Sequence, residues 1–304
     1  MAKYVVKRVL LAILTIFIVS AITFFSMYAI PGGPFSSEKA LSPAVLAALE
    51  ARYGLDQPIP VQYVNYMSRL LFQHDFGVSL KTGRDVFETI MTGMQVSAKL
   101  GLAAAAVAIV FGVVLGSVAA LNRGKFIDRV IVFFTTLATS APSFVLATLL
   151  LLIFSIKLGW VPAWSAQNQS YVLPVISLCM YPMAYITRLT KTSMLDALNQ
   201  DYIRTARAKG VASYKVIFKH ALRNALIPVV TYVGPMVAFI ITGSMVVETI
   251  FSTGGLGSYF VTSINNRDYT LIMGVTIFLA ILMVTANLIT DIVYKLIDPR
   301  ITFD

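Results

Sequence analysis

The sequence predicts an all-α, polytopic membrane protein with six transmembrane helices. Six uncharged apolar runs carry that expectation: 9–30, 100–122, 130–156, 171–187, 224–247 and 269–290. A helix rises about 1.5 Å per residue, so roughly 20 residues cross a hydrocarbon core of about 30 Å. Lipid offers backbone amides no partner, so each run must satisfy its own as a helix. Composition agrees: 58% of the 304 residues are hydrophobic, 12% are charged, and the mean hydropathy is +0.80.

Charge placement supplies the orientation. With the N-terminus inside, sixteen of the 24 Lys and Arg fall on inner segments, and six of the others share one long outer loop that counts little for topology. Both termini are therefore expected in the cytoplasm. The net charge of +10 is this orientation signal and excludes a nucleic-acid role. Cys179 is the only cysteine, which excludes an intrachain disulfide and a thiol metal cluster.

The elements follow in order. Run 9–30 has Lys3, Lys7 and Arg8 before it, as a signal peptide would. It is too long for one, however, and ends in Ile30-Pro31-Gly32-Gly33-Pro34 without a small-x-small cleavage site, so a retained first span is expected. The outer connection 31–97 is expected to be a folded helical insertion. Ser42-Pro43 reads as N-cap and first residue of a short helix stopped near Gly54. Residues 62–72 read as a second helix with Tyr63, Tyr66, Leu70 and Phe72 on its apolar side, and 73–77 as a turn. Connection 123–129 is short, basic and inner; 157–170 is outer, with Trp160 and Trp164 at interfacial depth. Connection 248–268 is outer, and its Gly254, Gly255 and Gly257 predict a tightly turned or re-entrant segment. Pro142, Pro174, Pro182, Pro228 and Pro235 lie inside runs and predict kinks.

The inner connection 188–223 is the distinctive one, with eight Lys or Arg against Asp196 and Asp201. A helix running up to Gly210 should stop there on a glycine. Ser213 then reads as the cap of a second short helix, with Val216, Ile217 and Leu222 opposite Lys215, Lys219 and Arg223. Two short helices meeting at a glycine make a knob on the inner face, fit either for a membrane surface or for a partner.

Ala206 and Gly210 stand four apart here, as in the Glu-Ala-Ala-x-x-x-Gly loop of bacterial ABC importer permeases, which this chain resembles. The strings Arg204-Thr-Ala-Arg-Ala-Lys-Gly210, His220-Ala-Leu-Arg-Asn-Ala-Leu-Ile-Pro228, Gly243-Ser-Met-Val-Val-Glu248-Thr, Asn266-Arg-Asp-Tyr269 and Asp298-Pro-Arg300 resemble the peptide-importer branch. So do Tyr53-Gly-Leu-Asp56-Gln-Pro and Asp75-Phe-Gly-Val-Ser79 in the outer loop. The resemblance covers nearly the whole chain and is strongest to the B-type permease subunit of oligopeptide and dipeptide systems. Arg204 stands where the general loop has its glutamate, and Thr205 where it has its first alanine.

The resemblance implies a type I ABC importer permease in a bacterial inner membrane. Its organisation would be 1–30 (N-terminus and first helix), 31–97 (extracytoplasmic insertion) and 98–304 (five-helix core). It implies that Arg204, Thr205, Ala206, Arg207, Ala208, Lys209, Gly210, Val211 and Tyr214 enter a groove of an ATPase subunit. The implied partners are a paralogous C-type permease, two ABC ATPases that use ATP and Mg, and an extracytoplasmic peptide-binding protein. The chain lacks a Gly-x-x-x-x-Gly-Lys-Ser/Thr loop and is expected neither to hydrolyse ATP nor to bind a cofactor.

For the substrate path, Glu248 with Ser244 and Thr242 is the candidate set. The carboxylate would either attract a peptide amino terminus or pair within the outer loop. Asp291, four residues before Lys295, reads as an interfacial ion pair. Rival readings are a nickel or metal-chelate importer permease on the same fold, a stand-alone secondary transporter, and an intramembrane enzyme. The last two lack, respectively, midplane charges and a catalytic set at depth.

Overall fold

The computed structural model describes residues 2–35, 43–165 and 167–297, with side chains over 7–35, 44–165 and 167–290. Ser42, the Asp291–Lys295 pair and Asp298-Pro-Arg300 lie outside these side chains. Helix α1 (Ala2–Ala29) is the first span. The outer insertion follows with α2 (Pro43–Tyr53), ended at Gly54 with φ +67°, and α3 (Ile59–Gln73), ended at His74 with φ 54°. Tyr63, Tyr66 and Leu70 of α3 join Phe24 and Met27 of α1 and Tyr269 and Met273 of the last helix in one core. Phe72 does not join them and is 81% exposed. At about 100° per residue, its position lies across the helix from Leu70.

Helix α4 (Val86–Leu121) has 36 residues, starting well before the apolar run at Leu100. Asp85 caps it by accepting from the Glu88 amide at 2.8 Å. α4 packs backbone to backbone against α7 (Val172–Leu198). A Cβ on Gly112 would lie 2.7 Å from the Ile186 side chain, and one on Gly116 would lie 2.5 Å from the Thr187 carbonyl oxygen. This is the small-xxx-small contact of membrane helices, where dispersion at close approach replaces the hydrophobic drive.

The third crossing is broken rather than kinked. Helix α5 (Phe126–Ser140) and helix α6 (Ser143–Leu150), the latter continued by a π-helical turn Leu151–Lys157, are bent by 107° about Ala141-Pro142. Pro174, by contrast, bends nothing: it sits in the first turn of α7, where its amide would have no helical partner.

Contacts at the two ends count the crossings. Ala120 at the end of α4, Met194 at the end of α7 and Ala225 near the start of the fifth span share one cluster. Ala147 of α6, Leu173 at the start of α7 and Val247 share another. Asp128, at the start of α5, pairs with Lys191 near the end of α7 at 2.5 Å. The chain therefore crosses between Asp128 and Ala147 despite its break. Among the described residues, five continuous helices are long and apolar enough to cross a membrane, and this broken pair brings the number to as many as six.

That loop departs from two separate short helices. After α8 (Asp201–Ala208), α9 (Ser213–Lys215) runs through a π-helical turn Val216–Leu222 straight into α10 (Arg223–Ile241). Ser213 is the first helical residue and makes no capping bond; the extended residue before it is Ala212. Nor does the fifth span reach Val247. Gly243, with φ +94°, turns the chain after Ile241 into α11 (Met245–Phe251), followed by α12 (Leu256–Asn265) and α13 (Tyr269–Ile297).

Candidate functional site

A cleft of about 660 Å3 opens among α5, α6, α7, α10 and α11. Pro142, Pro182 and Pro235 all line it, so three of the five span prolines meet in one place. Pro142 belongs to the break in the third crossing, and irregular backbone at membrane depth is tolerated where it faces such a cavity. Thr139, Ser140, Ser143, Ser177, Tyr181, Tyr232 and Ser244 supply hydroxyls, and no charged residue appears among the lining. The Ser177 hydroxyl is buried without a hydrogen-bond partner among the described residues. The rings of Tyr185 and Tyr232 stack beside the cleft with centroids 4.3 Å apart. Sequence reasoning named none of these tyrosines; the i, i+4 spacing of Tyr181 and Tyr185 was the available signal.

Helix α11 roofs this cleft through Ser244 and Val247. Its Glu248 is 1% exposed and turns away into a knot of donors. Ser97 of α4 donates to Oε1 at 2.7 Å, the Ser244 amide to Oε1 at 3.2 Å, and the Ser258 amide to Oε2 at 3.2 Å. Ser97 Oγ itself accepts from the Leu256 amide at 2.8 Å. The carboxyl thus sits at the N-terminus of α12, where free amides favour an anion. Burial pushes it above the ordinary carboxyl range, and Ser97 with the amides of Ser258, Gly257 and Ser244 pulls it back. Two glycines of this connection are explained by proximity to it: a Cβ on Gly255 would lie 2.6 Å from Glu248 Cδ and one on Gly257 3.0 Å from Oε2, whereas Gly254 is held at φ +67°. Of the three expected path residues, Ser244 lines the cleft, Glu248 is enclosed in the roof, and Thr242 donates to the Phe239 carbonyl at 2.6 Å.

The outer motifs meet as well. Ser79 donates to Asp268 Oδ2 at 2.5 Å, and the amides of Leu80 and Leu271 donate to Oδ1 at 3.1 and 3.3 Å. Asp268 thereby caps α13 and ties the outer insertion to it.

On the opposite face, Ile203 and Ala206 of α8 point into the chain's own core with Met194, Val216 and Ala221. Ala206 is only 8% exposed, so it supports the loop from within. Arg204, Thr205, Arg207, Ala208, Lys209 and Tyr214 are exposed, and Val211 is half-buried. Arg204 approaches Asp201 at 3.5 Å on the surface. Gly210 has φ +72°, with its amide donating to the Arg207 carbonyl at 2.9 Å and nothing within 4 Å of a Cβ. Phe218, which the sequence reading passed over, is 66% exposed beside Tyr214 at 61%.

Comparison with known proteins matches this architecture. Residues 112–303 fit the family model "Binding-protein-dependent transport system inner membrane component", and residues 1–101 fit the model of its N-terminal region. The chain belongs to this family. It is 45% identical to the dipeptide transport system permease protein DppB of Bacillus subtilis, covering 99% of this chain and 98% of that one. It is 44% identical to the oligopeptide transport system permease protein OppB of Haemophilus influenzae and 41% to that of Escherichia coli K12, each over the full length of both chains. Among solved structures, the MetNI methionine ABC transporter in an inward-facing form aligns with a TM-score of 0.57 at 17% identity, over 69% of this chain and 97% of that one. An amino acid ABC transporter with histidines aligns with a TM-score of 0.55 at 14% identity, over 69% and 94%. These likenesses establish the type I ABC importer permease fold for the core. The chain is a multi-pass inner-membrane permease component of a binding-protein-dependent importer.

Proposed function

We propose that this chain is one of two permease subunits of an ATP-driven peptide importer. The observation that carries the reading is identity of 41–45% to dipeptide and oligopeptide permeases along essentially the entire chain. The uncharged cleft supports it. Hydroxyls of Ser177, Tyr181, Tyr232 and Ser244 offer hydrogen bonds to peptide groups without selecting a side-chain charge. A paralogous C-type permease would supply the other wall of the path, and an extracytoplasmic binding protein would deliver the peptide.

Two ATPase subunits would hydrolyse ATP with Mg on the cytoplasmic side, where both termini lie in this reading. The exposed face of loop 188–223, with Arg204, Arg207, Tyr214 and Phe218, would be their contact. Because α9 is continuous with α10, a displacement of the loop moves a helix that lines the cleft. The test is tripeptide uptake into proteoliposomes holding the assembled complex with its binding protein. Uptake that requires ATP, the second permease and both ATPases is expected. Peptide movement by this chain alone without ATP, or transport of a metal chelate in place of peptide, would overturn the proposal.

A further inference from the structure

A second, larger cavity of about 840 Å3 lies at the opposite end of the molecule from loop 188–223, between α1, the outer helices α2 and α3, and α13. It is remote from the roofed cleft and shares no lining residue with it. Its volume is in the range of small-molecule sites, about 300–1,000 Å3. Its chemistry is divided by depth. The floor is apolar: Phe24, Met27 and Met273 are 5%, 6% and 1% exposed and belong to the core of the insertion. Two guanidiniums line the walls, Arg52 on α2 and Arg69 on α3, with no Asp or Glu in the lining. Among the described residues no carboxylate forms an ion pair with either. The cavity is therefore a cationic chamber over an apolar base.

Its wall is built rather than incidental. Gln62 is held from three sides: Tyr28 donates to its Oε1, and its Nε2 donates to the carbonyls of Leu55 at 3.0 Å and Gln57 at 2.7 Å. Asn65 Nδ2 donates to Gln57 Oε1 at 2.9 Å. These bonds fix the connection between α2 and α3, the two helices that carry the arginines. Tyr66, also in the wall, is 6% exposed, and its hydroxyl has no hydrogen-bond partner among the described residues.

We propose that this chamber is a second substrate site, which takes the free carboxyl end of a short peptide between Arg52 and Arg69. This rests on the peptide-importer reading. Guanidiniums grip planar carboxylates with paired hydrogen bonds. A phospholipid fits less well, because the floor that its acyl chains would have to pass is closed. The site would hold peptide at the outer surface, apart from the path itself.

The test uses the complete complex in nanodiscs without its binding protein, and trileucine as probe against trileucine amide, which lacks the carboxylate. The free acid is expected to bind about tenfold more tightly than the amide, a difference that the Arg52→Ala/Arg69→Ala double variant abolishes. Both arginines are exposed, so the variant leaves the core intact, and Arg52→Lys/Arg69→Lys should restore part of the preference. Equal binding of acid and amide to the unaltered complex would overturn the proposal. So would an acid preference that survives the double variant, since the carboxylate would then be held elsewhere. Loss of binding-protein-stimulated ATPase activity in the double variant, without any acid preference, would assign the arginines to an acidic segment of the binding protein instead. ATP-dependent uptake by the unaltered complex is measured in parallel, so failure of the chamber leaves the importer reading standing.

Discussion

The two ends of this permease are held together by different physics. At the outer end, buried carboxylates organise the chain: Glu248 gathers Ser97 and the amides of Ser244 and Ser258, and Asp268 gathers Ser79, Leu80 and Leu271. Glycines let the backbone close around them. At the inner end, loop 188–223 rests on apolar contacts of Ile203, Ala206, Val216 and Ala221, and its charges stand in solvent except for Lys191, which pairs with Asp128. The outer end is specified by directional bonds that tolerate little displacement. The inner end is a packed lever whose outward surface is unconstrained.

The largest effect should come from breaking the outer knot. Glu248→Ala strands the Ser97 hydroxyl and several amides together, and should destabilise the purified complex by at least about 3 kcal/mol, read as its thermal unfolding midpoint. Gly255→Ala should approach that loss, since the added methyl would fall 2.7 Å from Ser97 Oγ as well as on the carboxyl. Stability near that of the unaltered complex in both variants would erase the contrast between the ends.

Gly210→Pro should do the reverse at the inner end. Proline cannot adopt φ +72° and removes the amide that donates to Arg207, yet no core contact is lost. Assembly and thermal stability should persist while ATP-driven uptake falls about tenfold or more relative to ATP hydrolysis. Uptake and hydrolysis that stay proportional would deny this loop a coupling role.

Ala206→Asp sharpens the division within the loop. A carboxylate at that buried position should loosen α8 by about 2 kcal/mol, detectable as faster amide exchange in 201–208. Arg204→Ala, on the exposed side, should leave uptake within about twofold, because surface ion pairs contribute little. A larger effect at Arg204 than at Ala206 would invert the assignment of faces.

The smallest expected effect is a pH dependence. Burial raises the Glu248 carboxyl, so the folded state holds its proton more tightly than the unfolded chain. Stability from this group is therefore present at acid pH and lost as pH climbs from the unfolded value of about 4.3 through the raised one. The stability difference between the unaltered complex and Glu248→Gln should narrow as pH rises through that window; a difference that widens would show that the hydrogen bonds outweigh burial.

Crossings were legible from run length because lipid imposes one length on every helix. Their boundaries were less so. The start of α4 was missed because Glu88 and Lys99 interrupt the apolar pattern, although Asp85 followed by Glu88 is a readable capping signature. Gly112-x-x-x-Gly116 stood in plain view as a packing motif and was passed over. The setting of Glu248 was not readable, because its partner Ser97 lies 151 residues away and only folding brings the two together. In the inner loop, Ile203 and Ala206 share a helical face by spacing alone, so the inward side of α8 was available to sequence; which outward residues matter was not, since exposure has no period of its own.

The broken third crossing bears on what sets the depth of a span in the membrane. Its first half has 15 residues, and its second has eight α-helical and seven π-helical ones. Each is about 22 Å long, short of the roughly 30 Å of hydrocarbon. Neither half reaches across alone, so the depth of this crossing is set by its packing along α7, through Asp128 and Lys191 at one end and Ala147 and Leu173 at the other.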